Sequence, residues 1–208
     1  MRKLLYIPIV HSKADLGSLG SRLSAEGEQK YGASAWRDHI NEVEKSWDNI
    51  EFEISKNLKN TSSGRIKIYQ DGLPVAGEIG IKIVQDAAGN GSKNYLIIQR
   101  LLAKGASLEI AENKDFLLRE YYLLSEINTA ATPEKQLESY LAYQEISGEL
   151  LKSRDVFVAN QINETLTEGD TGIAFFGASH SIIEKLNADI KVVVLRMFKD
   201  DISLNLIK

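Results

Sequence analysis

A helix, a glycine stop and a short apolar strand follow one another in residues 154–180, RDVFVANQINETLTEGDTGIAFFGASH. Upstream of them, Thr132-Pro133-Glu134 combines an N-cap, a proline at the first helical position and an acid in the first turn. We therefore expect one helix of about nine turns that ends near Gly169. The apolar run Gly172–Gly177 that follows predicts a buried strand.

Long helical stretches separate this strand from the other strand-like runs, which are Leu4–Val10, Arg65–Gln70, Ser107–Ala111 and Ile190–Leu195. Such alternation predicts an α/β fold with a mostly parallel central sheet flanked by long helices. A last run, Ile202–Ile207, would add an edge strand. The sequence shows no internal repeat and no low-complexity linker, so we expect a single domain over residues 1–208.

Composition excludes several classes of protein. The 208 residues are 43% hydrophobic and 26% charged, which is typical of a compact globular chain and not of a disordered one. The formal net charge of −4 argues against a nucleic-acid partner. Cysteine is absent, which excludes disulfides, iron–sulfur clusters and thiolate zinc. Histidine, aspartate and glutamate remain as metal ligands, and there are 3 His.

The opening residues 1–10 place two basic residues before a short apolar run, as a signal peptide would. The run contains Pro8 and lacks a small-residue cleavage site after it, so we expect a strand instead. No apolar stretch approaches the roughly 18 residues that a membrane span requires. These features favour a cytoplasmic protein with no membrane partner.

The segment between the first two strands predicts a long amphipathic helix. Its apolar residues step by four and three positions and share one stripe, formed by Trp36, Ile40, Val43, Trp47, Ile50 and Ile54. We expect this stripe to pack across the sheet, although the same spacing serves a homodimer surface. His39 lies at the edge of the stripe, and we expect it to face solvent.

The helix before Gly169 has an apolar stripe interrupted by an acid. Asp155 lies within it, and a carboxylate that faces the core must be paired, hydrogen-bonded or protonated. Arg154 directly precedes Asp155 in the chain, and adjacent residues of a helix do not face each other. We therefore expect the partner of Asp155 to be a third group across the gap between helix and sheet. Gly148 shares the stripe, which suggests close approach by another backbone or a ligand. The apolar members are Leu137, Tyr140, Leu141, Leu151, Val158, Ala159, Ile162 and Leu166.

Polar side chains follow four of the predicted strands. His11 and His180 come just after the first and fourth, Asp71 after the second and Glu112 after the third. In open α/β sheets sites form outside the carboxyl edge of the strands, so these residues are expected to converge. Such a set can bind a divalent cation, with His11, His180 and Asp71 as ligands, or can activate water. Polar residues directly after a strand also commonly form turns without any further role.

Three motifs follow one another in the C-terminal half of the chain: Arg154-Asp155-x-x-x-Ala159-x-x-Ile162, Gly169-Asp170 and Gly177-x-x-His180. Together they resemble the C-terminal half of the ChaN/TraB/erythromycin-esterase-like superfamily. Proteins of that superfamily also have a first strand that ends in Gly-x-x-His and an acid after the second strand. His11 and Asp71 match these positions, whereas Pro8 stands where the first motif has its glycine.

The resemblance implies a central parallel sheet with paired histidines near an active site. It does not fix one activity, because the branches of the superfamily differ. Erythromycin esterases are hydrolases with a histidine base that acts on water, the Tiki branch consists of metal-dependent proteases, and ChaN is associated with haem binding.

Three hypotheses about function follow. The leading one is a hydrolase of a small-molecule or peptide substrate, in which His11 and His180, aided by Asp71, activate water directly or through a divalent metal. Arg154 would stabilise oxyanion charge, and Asp155 would orient a catalytic group. The second is a protein that binds haem or another small ligand without turnover. The third is a structural module that self-associates through the helical stripe of residues 36–54.

Overall fold

Five parallel strands form one sheet in a computed structural model that describes residues 1–9 and 27–197. Their order across the sheet is β3-β2-β4-β1-β5. This arrangement confirms the predicted α/β class with a parallel sheet. The predicted strand over 202–207 lies outside the described residues, as does Val10. The strands are β1 (Arg2–Ile9), β2 (Ile66–Gln70), β3 (Ser107–Leu108), β4 (Thr171–Gly177) and β5 (Ile190–Val194).

Helices connect the strands and cover both faces of the sheet. They are α1 (Ala33–Asn57), α2 (Gly77–Gly89), α3 (Lys93–Ala103), α4 (Lys114–Thr129) and α5 (Pro133–Thr165). The predicted start of α5 is confirmed, since the Thr132 side chain accepts a hydrogen bond from the backbone N–H of Lys135. Within the described residues, none of the helices is long and apolar enough to cross a membrane.

The first face of the sheet packs against α1, α2 and α3. Four of the six stripe residues of α1, namely Val43, Trp47, Ile50 and Ile54, are buried in this core with strand residues such as Phe175. Packing across the sheet is therefore confirmed as the role of the stripe, which leaves these four side chains no surface for a partner. The homodimer itself stays a prediction.

His39 does not face solvent, and that prediction is wrong. The side chain is buried at 7% exposure, and its ring lies 5.5 Å from that of Trp36, one turn earlier in α1. Helical periodicity shows that His39 lies beside the apolar stripe, but it does not show that the neighbouring Trp36 ring covers the imidazole.

The second face packs against the last third of α5. Val158, Ala159 and Ile162 contact strand residues there, and Leu166 follows directly after the helix. Gly172 of β4 allows this close approach, since a Cβ at that position would lie 2.7 Å from Leu4 Cδ1 and 3.3 Å from Leu166 Cδ1. The C-terminal part of the predicted α5 stripe is thus confirmed as core.

The N-terminal part of the α5 stripe is exposed, contrary to prediction. Leu137, Tyr140 and Leu141 are between 45% and 59% exposed, and no atom of the described residues lies within 4 Å of the point where a Cβ of Gly148 would project. The reason is length: α5 has 33 residues and spans about 50 Å, whereas the 7 residues of β4 span about 23 Å. Half of the helix extends beyond the sheet and runs beside α4, which has no buried residue.

Candidate active site

The carboxyl edge of the sheet brings together residues from four separate segments. Asp71 directly follows β2, and its backbone N–H donates to Phe175 O at 2.9 Å, so it extends the pairing of β2 with β4. A turn closed by Leu73 N to Gln70 O follows, in which Gly72 has a φ of 73°. Glu112 comes shortly after β3, and His180 follows β4.

Arg154 of α5 binds three carboxylates from three different elements. Its Nη2 donates to Asp71 Oδ1 at 2.7 Å and to Glu112 Oε1 at 2.5 Å. Its Nε donates to Glu112 Oε2 at 3.2 Å, so the guanidinium binds the Glu112 carboxylate through two parallel hydrogen bonds. Its Nη1 donates to Glu120 Oε2 of α4 at 2.8 Å. All three nitrogens of the guanidinium thus donate hydrogen bonds. These bonds connect α5 with the end of β2, with α4 and with the loop after β3.

His180 lies between two carboxylates. Asp155 Oδ1 is 2.6 Å from His180 Nδ1, and Asp155 Oδ2 accepts a hydrogen bond from Ser181 N at 2.9 Å. Asp71 Oδ2, which accepts from Gly177 N at 3.0 Å, is 3.5 Å from His180 Nε2. The Phe176 ring meets the imidazole edge to face at 5.5 Å. Asp155 therefore holds the ring by one nitrogen and leaves the other directed towards Asp71.

The protonation of these groups follows from burial and from their neighbours. Burial opposes the charge of Arg154, but its hydrogen bonds to Glu112 and the charges of Glu112, Asp71 and Glu120 outweigh burial and raise the pKa of Arg154. Burial is also the main reason why the pKa of Glu112 is raised, against the opposing effect of Arg154. Burial lowers the pKa of His180, but the carboxylates of Asp71 and Asp155 on either side of the imidazole outweigh burial and raise it.

Within the described part of the chain, the site carries an excess of negative charge. Four carboxylates share one guanidinium and one imidazole, so the fully ionised cluster is negative even when His180 is protonated. Lys185, whose Nζ is 4.0 Å from Asp155 Oδ2, does not reverse this sign. One potential ligand atom from each of Asp71, Glu112 and His180 lies within 4.8 Å of the others. Oxygen and imidazole nitrogen donors of this kind suit a divalent transition metal.

The structure brings together five of the six residues predicted from the sequence: Asp71, Glu112, Arg154, Asp155 and His180. The sixth, His11, lies outside the described residues. The partner of Asp155 is indeed a third group across the gap between helix and sheet, as predicted, and Asp155 itself is only 2% exposed.

Two residues near the site were missed. Glu120 belongs to a helix with no buried residue, and nothing in its local sequence distinguishes it from the other acids on that helix. Tyr6 lies in β1, where a single phenol among aliphatic residues was the available signal. Its side chain is buried on the same face of the sheet as Phe176.

No family model, no curated protein and no solved structure matches this chain. The resemblance to the ChaN/TraB/erythromycin-esterase-like superfamily therefore stays a prediction, as does the haem binding that one of its branches implies.

Proposed function

We propose that this protein is a hydrolase in which His180 acts as a general base on water. One observation carries the proposal: His180 Nδ1 is 2.6 Å from the buried carboxylate of Asp155, while Nε2, among the described residues, makes a long contact of 3.5 Å to Asp71. A carboxylate on Nδ1 fixes the proton there and leaves the lone pair on Nε2, which is the tautomer that a base requires. The substrate would be a small molecule or a peptide with an ester or amide bond.

The reaction would proceed by addition and elimination. Nε2 takes a proton from water as the water oxygen forms a bond to the carbonyl carbon, and the carbonyl electron pair moves to its oxygen. The tetrahedral species collapses when the carbon–oxygen or carbon–nitrogen bond to the leaving group breaks. The proton on Nε2 then passes to the leaving group, so the imidazole is regenerated. Asp155 keeps the ring oriented and stabilises its transient positive charge.

Arg154 is better suited to organise the acids than to stabilise an oxyanion. Its three nitrogens donate to Asp71, Glu112 and Glu120, and its side chain is 8% exposed. Because these carboxylates neutralise its charge and occupy its donors, the guanidinium would stabilise the developing negative charge of an oxyanion only weakly. We assign it the positioning of Asp71, which in turn faces His180.

The site also fits a divalent cation. Asp71, Glu112 and His180 would hold it, and the excess of carboxylate charge would favour its binding. Such an ion, when bound, lowers the pKa of a coordinated water and so makes hydroxide available near neutral pH. Asp155 would then act on the distal nitrogen of the imidazole, as carboxylates do for histidine ligands of metals.

The test of the proposal is hydrolysis of a panel of chromogenic esters and amides by the purified protein. We expect His180→Ala and Asp155→Asn to lose activity by about 10²–10⁴-fold. Asp86→Asn, which removes a carboxylate exposed on α2, is the matched control and should retain wild-type rates. His11→Ala tests whether the second histidine takes part. Equal rates for wild type and His180→Ala would defeat the proposal.

Elemental analysis of the same preparations separates the two forms of the mechanism. If a divalent ion takes part, the wild type should contain it in near-stoichiometric amounts, and Glu112→Gln should contain much less. Glu149→Gln is the matched control, since that carboxylate is exposed on α5 and pairs only with Lys152 in the described structure. Activity without metal would leave His180 as a base that acts directly on water.

A further inference from the structure

Tyr6 carries a buried hydroxyl that no described residue satisfies. The side chain is 4% exposed, and its Oη has no hydrogen-bond partner within residues 1–9 and 27–197. A buried polar group without a partner costs stability, so this hydroxyl would gain from a hydrogen bond to a ligand or a water.

The ring of Tyr6 and the imidazole of His180 both lie beside the ring of Phe176. The Tyr6 ring is nearly parallel to that of Phe176, with centroids 6.5 Å apart, and Phe176 in turn contacts the imidazole. Burial raises the pKa of Tyr6, and the charges of Asp155 and Asp71 raise it further. The two carboxylates that flank the imidazole therefore also act on the phenol. Tyr6 consequently keeps its proton near neutral pH and remains a hydrogen-bond donor.

The nitrogen of His180 that would act as a base is the loosely held one. Nδ1 is 2.6 Å from Asp155, whereas Nε2 is 3.5 Å from Asp71 Oδ2. A separation of 3.5 Å is at the outer limit of a hydrogen bond, where a bridging water is often found. A buried water usually has about three polar partners. Nε2, Asp71 Oδ2 and the Tyr6 hydroxyl would together provide that number.

We propose that Tyr6 is a further residue of the site, whose hydroxyl donates a hydrogen bond to the oxygen of the water that His180 activates. This role rests on the proposed hydrolase function. The hydrogen bond would hold the oxygen in place while its proton passes to Nε2, and would leave a lone pair for the substrate carbon. Tyr6 is neutral and packed in the core, so it would perform this task without adding charge to an already negative site.

Tyr6→Phe is the direct test, because it removes only the hydroxyl. Tyr69→Phe is the matched control: this tyrosine is buried on the same face of the sheet, but its hydroxyl pairs with Thr165 Oγ1 at 2.8 Å. We expect kcat to fall at least about tenfold in Tyr6→Phe, the rate equivalent of one hydrogen bond, with KM nearly unchanged. In Tyr69→Phe kcat should stay at the wild-type value, while the melting temperature falls by about 2–4 °C.

A second measurement decides the role of Tyr6 without requiring turnover. The nitrogen chemical shift of His180 Nε2, followed by NMR in a protein with 3 His, should move in Tyr6→Phe and stay in place in Tyr69→Phe. Unchanged kcat together with an unchanged Nε2 shift in Tyr6→Phe would overturn the assignment. If the wild type hydrolyses none of the substrates, the hydrolase proposal fails, and the Nε2 shift alone then decides whether the phenol and the imidazole share a water.

Discussion

Removal of the Arg154 guanidinium should destabilise the fold strongly, because three carboxylates depend on it. In Arg154→Met, Asp71, Glu112 and Glu120 lose donors that now lie 2.7, 2.5 and 2.8 Å from their oxygens. The side chain of Glu112 has no exposed surface and that of Asp71 is 8% exposed, so water cannot replace these donors. Breaking a buried ion pair by removal of one partner costs about 3–5 kcal/mol, and we expect a loss in that range near pH 8.

The loss should depend on pH in a defined direction. Without the guanidinium, the pKa of Glu112, already raised by burial, rises further, so the folded state takes up protons that the unfolded state does not. A group with a raised pKa in the folded state contributes stability at low pH, and this stability disappears as pH rises through the folded value. Each such proton changes the free energy of unfolding by up to about 1.4 kcal/mol per pH unit. Arg154→Met should therefore be closer to wild type near pH 5 than near pH 8.

Urea unfolding followed by tryptophan fluorescence measures this effect, because Trp47 is buried in the core against Phe175. The double variant Arg154→Met/Glu112→Gln should regain about 1–3 kcal/mol near pH 8, since it removes one uncompensated charge. Arg100→Met, which breaks an exposed pair with Glu51, should unfold like the wild type. A loss below about 1 kcal/mol, or equal losses at both pH values, would refute the reasoning.

Four further outcomes are expected. Asp155→Asn should shift the acid limb of the kcat/KM profile to lower pH, because this carboxylate helps to raise the pKa of His180; an unmoved limb would contradict the pairing. In the wild type, protonated His180 should contribute stability below about pH 6.5, and this contribution should be lost as pH rises through the higher pKa of His180 in the folded state. The urea midpoint should therefore fall as pH rises, and it should change less with pH in His180→Gln. Mn²⁺ or Zn²⁺ at 100 times its Kd should stabilise the wild type by about 2.7 kcal/mol but not Glu112→Gln, as thermal unfolding would show. Ile162→Ala should cost about 2–5 kcal/mol in urea unfolding, whereas the exposed Leu137→Ala should cost far less; equal costs would place the first half of α5 in a core.

The sheet and most of the site could be predicted because both follow from local patterns. Alternating strands and helices imply parallel strands, and parallel strands present their carboxyl ends at one edge. That reasoning located Asp71, Glu112 and His180, while helical periodicity located Asp155 inside the core. Each inference required only the type of residue and its distance along the chain from an element boundary.

Features that depend on how far elements extend could not be predicted in this way. Periodicity identifies which residues of α5 share a face, but not where the sheet beneath that face stops, so it wrongly predicts that Leu137 lies in the core. The contact of Glu120 with Arg154 depends on how α4 and α5 lie side by side, which leaves no trace in the sequence of either helix. The burial of His39 likewise depends on a neighbouring ring.

The strand order has a consequence for synthesis of the chain on the ribosome. β1 lies between β4 and β5, and Lys3 pairs with Thr171 and Lys191. More than 160 residues separate Lys3 from Thr171, so at 5–20 residues per second β1 waits on the order of ten seconds before its first neighbour is translated. During that interval the side chains of Leu4, Leu5 and Ile7, fully buried in the finished fold, have no sheet to enter. The nascent chain is therefore expected to need a chaperone at its first strand until its last strands emerge.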